Sequence, residues 1–539
     1  MAFLSALCYT VEIEKYTAFT EKRNIMNTTE EKRESIPNSV NRMLFAGIGV
    51  ILQVAWICWL AIKLNDYSTA IQVCTSVLAF LITLRIYGLH INSAYKISWI
   101  ILILLFPVFG LTIYLLFGRA GAVSVMRKRF NSNLALLRSY HAPLLAQRRA
   151  LPYPDRTARN HAHYLQTQAG YPAYDNTDVT FYGDTCAALE AQKEALRSAE
   201  HFIFMEYHAI EDASAWQELE DILAERAAHG VEVRVFYDDV GSIGFITSAF
   251  VKKLESRGIQ CRQFNPVIPI LNVFMNNRDH RKIMVIDGQI AFTGGVNLAD
   301  EYINKIVRFG YWKDSGVRLD GPGAASLANI FLTFWKAKYP DEDLDAGCDL
   351  PAAVPVETDC LVQPFADSPV GREAVAKNVY LELINQAQKR LYICTPYLIL
   401  DNDLLSCLRL AAKRGVDVRI YTPGVPDKPT IYQLTRSYFP HLLRAGVKIY
   451  SYTPGFLHAK TWLVDDRIAA VGTVNLDYRS LYLHFENSVL LYGGAVLDDV
   501  RRDLAEIEKE SAAVTLADCR TGFFGTLYSA VLRLVAPLC

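Results

Sequence analysis

The sequence predicts an α/β fold of two similar lobes sharing one site, preceded by N-terminal transmembrane helices. Three observations predict it. Two stretches, HRKIMVIDGQIAFTGGVN (280–297) and HAKTWLVDDRIAAVGTVN (458–475), share one frame: a His, then Lys at +2, Asp at +7 and Asn at +17. Around each, strand-like and helix-like segments recur in the same order, with a period of about 180 residues. Upstream lie three uncharged runs in close succession.

The runs are Met43 to Ile62, Tyr67 to Leu84 and Ile97 to Gly118. About twenty apolar residues cross a bilayer's hydrocarbon core, so the first and third are strong spans. Gln72, Thr75, Ser76 and Thr83 weaken the middle one. Buried core helices are the alternative, and three such runs so close together argue against it. Trp56, Trp59, Tyr67, Tyr87, Tyr95 and Trp99 include interface anchors. Arg119, Arg127, Lys128, Arg129 and Arg138 follow the third run and put the large C-terminal part in the cytoplasm. The N-terminal tail is also basic, with Lys15, Lys22, Arg23, Lys32, Arg33 and Arg42. Two spans plus a re-entrant segment bent at Pro107 and Gly110 reconcile these signals, so the count is two or three. Residues 1–42 form a polar extension without the features of a signal peptide. Residues 43–118 are the membrane region and 119–174 a juxtamembrane linker.

The chain has 539 residues, 51% of them hydrophobic, enough for more than one core. A net charge of −1 gives no global argument for nucleic acid as a partner. The eleven cysteines are scattered, without CxxC or Cys/His ligand spacing, and read as reduced structural thiols.

The first lobe covers 175–345. His201–Tyr207 reads as a buried strand, Trp216–Ala228 as a helix stopped by Gly230, and Val231–Tyr237 as the next strand. A helix near 248–256 and a strand near 260–264 lead into the first motif. The second lobe, 346–515, repeats the order. Arg390–Thr395 is a strand, Leu404–Arg414 a helix stopped by Gly415, and Val416–Tyr421 a strand. A helix ending near Arg444 and a strand at Val447–Tyr452 complete it. AAHGVEVRVFY (227–237) against AAKRGVDVRIY (411–421) supports a duplication. Alternating strand and helix implies sheets covered by helices. Residues 267–279 are an apolar insertion holding Asn276 and Asn277, read either as a loop at the mouth of the site or as a packed loop. Residues 516–539 form a C-terminal helix, with an interfacial and a packed reading equally open.

Residues two apart on a strand face the same way. His280 with Lys282, and His458 with Lys460, therefore project together from strands KIMVID and KTWLVD. Asp287 and Asp465 fall at the far strand ends, where bracing the backbone suits them better than reacting. GGVN and GTVN return Asn297 and Asn475 to the site. Paired His, Lys and Asn without a carboxylate on the reacting face describe a phosphate site. One imidazole can attack phosphorus, and the other can serve as acid and base. Lys and Asn can stabilise the equatorial oxygens. No metal-ligand cluster appears. Each imidazole needs an orienting partner. YWKDSGVRLDG (311–321) and YLHFENSVLLYG (482–493) align with Asp314 against Glu486, each seven residues before a Gly. These two acids are expected to accept hydrogen bonds from the two imidazoles.

HxKxxxxD followed by GGxN or GTxN, twice, resembles the phospholipase D superfamily. The resemblance implies two phospholipase D-like lobes, a covalent phosphohistidine and no metal or cofactor. KISWIILILLFPVFGLTIYLLFGR (96–119), GTVNLDYRSLYLHFEN (472–487) and RLVAPLC (533–539) are similar to bacterial cardiolipin synthases, extending the resemblance over 43–539. That family implies transfer of a phosphatidyl group from one phosphatidylglycerol to another, releasing glycerol. It also implies a multi-pass protein of the bacterial inner (cytoplasmic) membrane, with phosphatidylglycerol, other anionic phospholipids and the bilayer as partners. Analogy with other members makes His280 the nucleophile and His458 the acid/base. Residues 1–42 depart from the family, with Met43 a natural alternative start. The competing readings are a membrane-bound hydrolase of the same fold and a non-catalytic scaffold that binds anionic lipid.

Overall fold

The computed structural model describes residues 69–89, 92–115, 127–135, 153–267, 276–340, 353–371 and 373–538, with scattered positions at 44–63 and at 151. The polar extension and parts of the first uncharged run lie outside the described residues, as does 268–275 of the apolar insertion.

The second run forms helix α1 (Thr69–Tyr87), and the third is divided into α2 (Ser93–Leu105) and α3 (Pro107–Ile113). Asn92 caps α2, its side chain accepting from the Ala94 N–H at 2.9 Å. Pro107 opens α3, where its missing N–H costs nothing. The chain folds back so closely that a Cβ on Gly110 would lie 2.5 Å from the Leu102 carbonyl oxygen. The third run is therefore a tight helical hairpin bent at Phe106 and Pro107, not one straight helix. Among the described residues, no helix is long and apolar enough to cross a membrane.

The first lobe supplies β1 (Asp178–Tyr182), β2 (Phe202–Tyr207), β3 (Glu232–Asp238), β4 (Gln260–Phe264), β5 (Arg278–Asp279), β6 (Lys282–Ile286), β7 (Ile290–Gly294), β8 (Tyr311–Lys313) and β9 (Gly316–Asp320). The second supplies β10 (Leu361–Asp367), β11 (Arg390–Cys394), β12 (Asp417–Pro423), β13 (Lys448–Tyr452), β14 (Gly455–Leu457), β15 (Thr461–Val464), β16 (Ile468–Gly472), β17 (His484–Tyr492) and β18 (Ser511–Ala513). Their sheets have the same order, β1-β9-β7-β6-β2-β3-β4 and β10-β17-β16-β15-β11-β12-β13, with β18 added at the second edge. Both are mixed: β2-β3-β4 and β11-β12-β13 are parallel and the remaining pairs antiparallel. The edge strands β1 and β10 go beyond the sequence reading. Each pairs antiparallel with a strand far along the chain, a partnership that no local periodicity records.

Local chemistry explains the matched elements. β2 is an unbroken buried run, as a strand covered on both faces should be. Gly230 and Gly415 end equivalent helices at φ 89° and 94°, a region that suits glycine. The sheets share one core: Ile283, Val285 and Val317 of the first lobe are buried in the same cluster as Ala469, Val471 and Val489 of the second. Helix α4 (Ala324–Lys338) lies in that core, with Phe331 stacked 4.9 Å from Phe204 and Phe334 4.5 Å from Phe485. Two short parallel pairings cross between lobes, β5 with β17 and β8 with β14.

Two later helices connect the hairpin to the lobes. α5 (Pro429–Leu443) covers the second sheet, and α6 (Phe523–Val535) lies against α5. Arg533 of α6 donates to Ser437 Oγ at 3.0 Å and lies over the Tyr438 ring at 4.6 Å. Ser98 of α2 donates to the Leu534 carbonyl at 2.7 Å, and Asn92 donates to Tyr482 Oη at 2.9 Å.

Candidate active site

The crossed pairings place the reacting groups. The His280 N–H donates to the Phe485 carbonyl at 2.9 Å, and the next residue is Glu486. The His458 N–H donates to the Lys313 carbonyl at 2.7 Å, and the next residue is Asp314. Each imidazole thus meets a carboxylate from the other lobe. His280 Nδ1 lies 2.9 Å from Glu486 Oε2, and His458 Nδ1 lies 2.6 Å from Asp314 Oδ2. A neutral ring that donates to its carboxylate carries its proton on Nδ1 and leaves Nε2 free for chemistry. Both Nε2 atoms belong to rings lining one cavity of about 250 Å³, together with Asn297 and Asn475.

Lys282 Nζ donates to the His280 carbonyl at 2.7 Å, and Lys460 makes the equivalent bond to His458. Asn297 Oδ1 accepts from the Ala209 N–H at 3.1 Å, which turns its amide donors away from that bond. Gly295 is required by close approach: a Cβ there would lie 2.0 Å from Asp314 Oδ1. The equivalent residue in the other lobe is Thr473, whose hydroxyl donates to Glu486. The Asp287 carboxylate accepts from the N–H groups of Glu200, His201 and Phe202 at 2.7–2.8 Å. Asp465 does the same for Gln388, Lys389 and Arg390 at 2.7–2.8 Å. Neither lines the cavity; nor do Lys282, Lys460, Asp314 and Glu486, which lie behind the histidines they touch. Each of Asp287 and Asp465 pins the start of the strand that pairs with its own motif strand, β2 beside β6 and β11 beside β15, and so braces the fold without touching either imidazole.

Burial dominates the titration of the site. It pushes Lys282 down to about 7 and Lys460 down to about 8. Burial, then the neighbouring lysines, holds His280 well below an ordinary histidine. His458 falls to about 4 for the same reasons, opposed by Asp314. Burial raises the Asp314 carboxyl, but His458 and Lys460 outweigh it and keep it below the usual range. The ligand-free site therefore holds two neutral imidazoles.

Several cavity residues escaped the sequence reading. Among them are His208, Arg278, Trp312, Tyr397, Asp427, Arg479 and His484. His208 Nδ1 lies 2.7 Å from the Asp279 carbonyl, and Arg479 Nε donates to His484 Nε2 at 3.2 Å. Arg278, Trp312, Phe456 and His484 occupy repeat-equivalent places but differ between lobes, so a search for repeated identities passes over them. His280, His484 and Glu486 bring ligand atoms within 4.8 Å of one another, a spacing that fits a metal ion. Glu486 there already accepts from His280 and Thr473, and Arg479 occupies His484 Nε2.

Comparison with known proteins gives the family. A family model described as "Cardiolipin synthase, PLD-like domain" matches residues 193–308 and 380–507, and one described as "Phospholipase_D-nuclease N-terminal" matches 77–119. An uncharacterized protein of Streptococcus mutans serotype c is 42% identical over 82% of this chain and 96% of its own. Cardiolipin synthase 2 of Bacillus anthracis is 37% identical, covering 81% of this chain and 85% of its own. The crystal structure of phosphatidylserine synthase from Haemophilus influenzae Rd KW20 has the same fold at 16% identity. Its TM-score is 0.56, covering 71% of this chain and 98% of that one. The chain belongs to the cardiolipin synthase family of phospholipase D-like proteins.

Proposed function

We propose that the protein is a phosphatidyltransferase that makes cardiolipin from two phosphatidylglycerol molecules. The observation that carries this reading is one cavity holding two imidazoles, each oriented by a carboxylate of the opposite lobe, in a chain of this family. His280 Nε2 attacks phosphorus of the first lipid, forming the N–P bond while the P–O bond to glycerol breaks. Protonated His458 gives its Nε2 proton to the departing glycerol oxygen. A hydroxyl of the second phosphatidylglycerol then gives its proton to His458, attacks phosphorus and breaks the N–P bond. Lys282, Lys460, Asn297 and Asn475 stabilise the charge on phosphorus-bound oxygens.

The assignment of roles follows the electrostatics. His280, held far below an ordinary histidine, suits the neutral nucleophile. Asp314 opposes the fall at His458 and favours a proton there. A bound phosphodiester adds negative charge beside both rings and raises His458 further.

The membrane supplies the substrate. α1 exposes Val77, Phe80, Leu81 and Leu84, and the α2–α3 turn exposes Leu104, Leu105 and Phe106. α6 exposes Phe523, Phe524, Leu527 and Val531, while Arg533 clamps its other side. We place these faces in the inner membrane of a bacterium, the α2–α3 hairpin entering as a re-entrant segment and α6 lying in the interface. Ala536, just after α6, lines the cavity and links that layer to the site.

The test is product analysis with purified full-length protein in phosphatidylglycerol vesicles. Cardiolipin and glycerol in equal amounts support the reading; phosphatidic acid without cardiolipin sinks it.

A further inference from the structure

The two lobes share a frame, but the cavity they enclose is chemically polarised. Two residues before each motif histidine stand Arg278 in one lobe and Phe456 in the other. Two residues before each orienting acid stand His484 and Trp312. The crossed strands pair these positions directly: Arg278 faces His484 across β5–β17, and Phe456 faces Trp312 across β14–β8. Around His280 the cavity is consequently basic. The His484 ring lies 5.5 Å from the His280 ring and is bonded to Arg479.

Around His458 the cavity is aromatic. Trp312 lies 5.1 Å from the His458 ring, Phe456 5.7 Å and Tyr302 5.6 Å. Beyond Phe456, at 6.4 Å, stands Tyr397, whose hydroxyl donates to Asp427 Oδ2 at 2.5 Å. Asp427 lines the same cavity, with Lys428 next to it in the chain, and Asp477 lines it as well. A carboxylate on this wall repels a phosphate but accepts hydrogen bonds from hydroxyls. Flat rings suit the C–H faces of a polyol. Trp312 is 6% exposed, and its indole N–H, among the described residues, has no hydrogen-bond partner.

We propose that the His458 side is a polyol subsite, in which Asp427, oriented by Tyr397, accepts hydrogen bonds from the free glycerol hydroxyls of the phosphatidylglycerol headgroup. The ring pair Phe456 and Trp312 packs against the glycerol carbons, with the indole N–H a further donor. The basic His280 side then takes the phosphate. The proposal rests on the phosphatidyltransferase reading and adds where the leaving and incoming alcohols bind. It also accounts for the choice of acid/base: the alcohol oxygen that gains or loses a proton sits beside His458.

The test compares Asp427→Leu, Asp427→Asn and Tyr397→Phe with wild type, all as full-length protein in vesicles. The first readout is the KM for free glycerol in the reverse reaction, cardiolipin plus glycerol giving phosphatidylglycerol. The second is the ratio of cardiolipin to phosphatidic acid in the forward reaction. The third is turnover of phosphatidylglycerol relative to phosphatidylmethanol, whose leaving alcohol has no further hydroxyl. Loss of a charged acceptor should raise the glycerol KM at least about ten-fold in Asp427→Leu. It should also shift products toward phosphatidic acid and lower the phosphatidylglycerol-to-phosphatidylmethanol ratio. Asp427→Asn keeps an acceptor oxygen and should show a smaller rise, as should Tyr397→Phe, which keeps the ring. An Asp427→Leu protein with wild-type glycerol KM and product ratio overturns the subsite while cardiolipin formation by wild type leaves the parent reading standing. A wild type that makes only phosphatidic acid overturns the parent reading itself. A lower KM for free ethanolamine than for glycerol, lost in Asp427→Asn, would show an ammonium site and also overturn the proposal.

Discussion

Asp314→Asn separates an orienting role from a structural one. The Asp314 carboxylate is fully buried, with Oδ2 2.6 Å from His458 Nδ1 and Oδ1 accepting the Ser315 N–H at 2.9 Å. An asparagine of the same shape keeps its carbonyl on Ser315 and turns its amide N–H toward His458 Nδ1. The ring must then carry its proton on Nε2. It can still donate weakly but cannot accept the proton of the incoming alcohol. Losing a hydrogen bond to a charged group is worth about 1.5–3 kcal/mol. At about 1.4 kcal/mol per decade, turnover should fall about 10- to 150-fold. The second step should suffer more, so the covalent intermediate should accumulate. Asp314 raises the proton affinity of His458. Its loss lowers that affinity, and the protonated acid disappears at lower pH, so the alkaline limb of kcat/KM should move down. The assay is cardiolipin formation across pH, with rapid-quench detection of the intermediate. Unchanged turnover, or reduced turnover with an unmoved alkaline limb, would refute the orienting role.

Other perturbations test neighbouring parts of the account. Asp465→Ala leaves three backbone N–H groups without their acceptor, of which the part-buried one of Arg390 costs about 1–3 kcal/mol and the other two turn to water; the melting temperature should drop while the pH profile keeps its shape, and a normal melting temperature would contradict the bracing role. Burial pushes Lys282 down to about 7 and Lys460 down to about 8. Both are charged below those values and lose charge as pH rises through them, so the KM for phosphatidylglycerol should climb between pH 7 and 9; a flat KM would count against their contact with phosphate. EDTA should leave turnover intact, whereas added Zn2+ should inhibit by capture at His280, His484 and Glu486, and a His484→Gln variant should need more Zn2+ for the same inhibition.

Much of the arrangement could be read before any coordinates, and particular residues show why. The +7 and +17 offsets are enforced locally, by the turn at the far end of the motif strand and by the hairpin that follows it. His280, His458 and Lys460 lie in the breaks just before β6 and β15, not on those strands as alternation predicts, and each lysine turns back to the carbonyl of its own histidine, while the β6–β7 hairpin returns Asn297. Asp314 and Glu486 were reachable because both precede a glycine by the same distance. Their crossing was not, because the β5–β17 and β8–β14 pairings join residues far apart in the chain. The bend of the third uncharged run was visible in Pro107, but the closeness of the return depends on Gly110 meeting the backbone of α2. Arg278, Phe456, His484 and Trp312 are the opposite case. Their positions repeat and their identities do not, so their meaning emerges only when the crossed strands bring them together around one cavity.

The central claim is that His280 carries the phosphatidyl group while His458 moves the proton. It is tested most directly by quenching wild type in base during turnover on phosphatidylglycerol and mapping the adduct by peptide mass spectrometry. The adduct should lie on the peptide containing His280 and be absent from His280→Ala. An adduct on the His458 peptide, or cardiolipin formed by His280→Ala, would contradict the account.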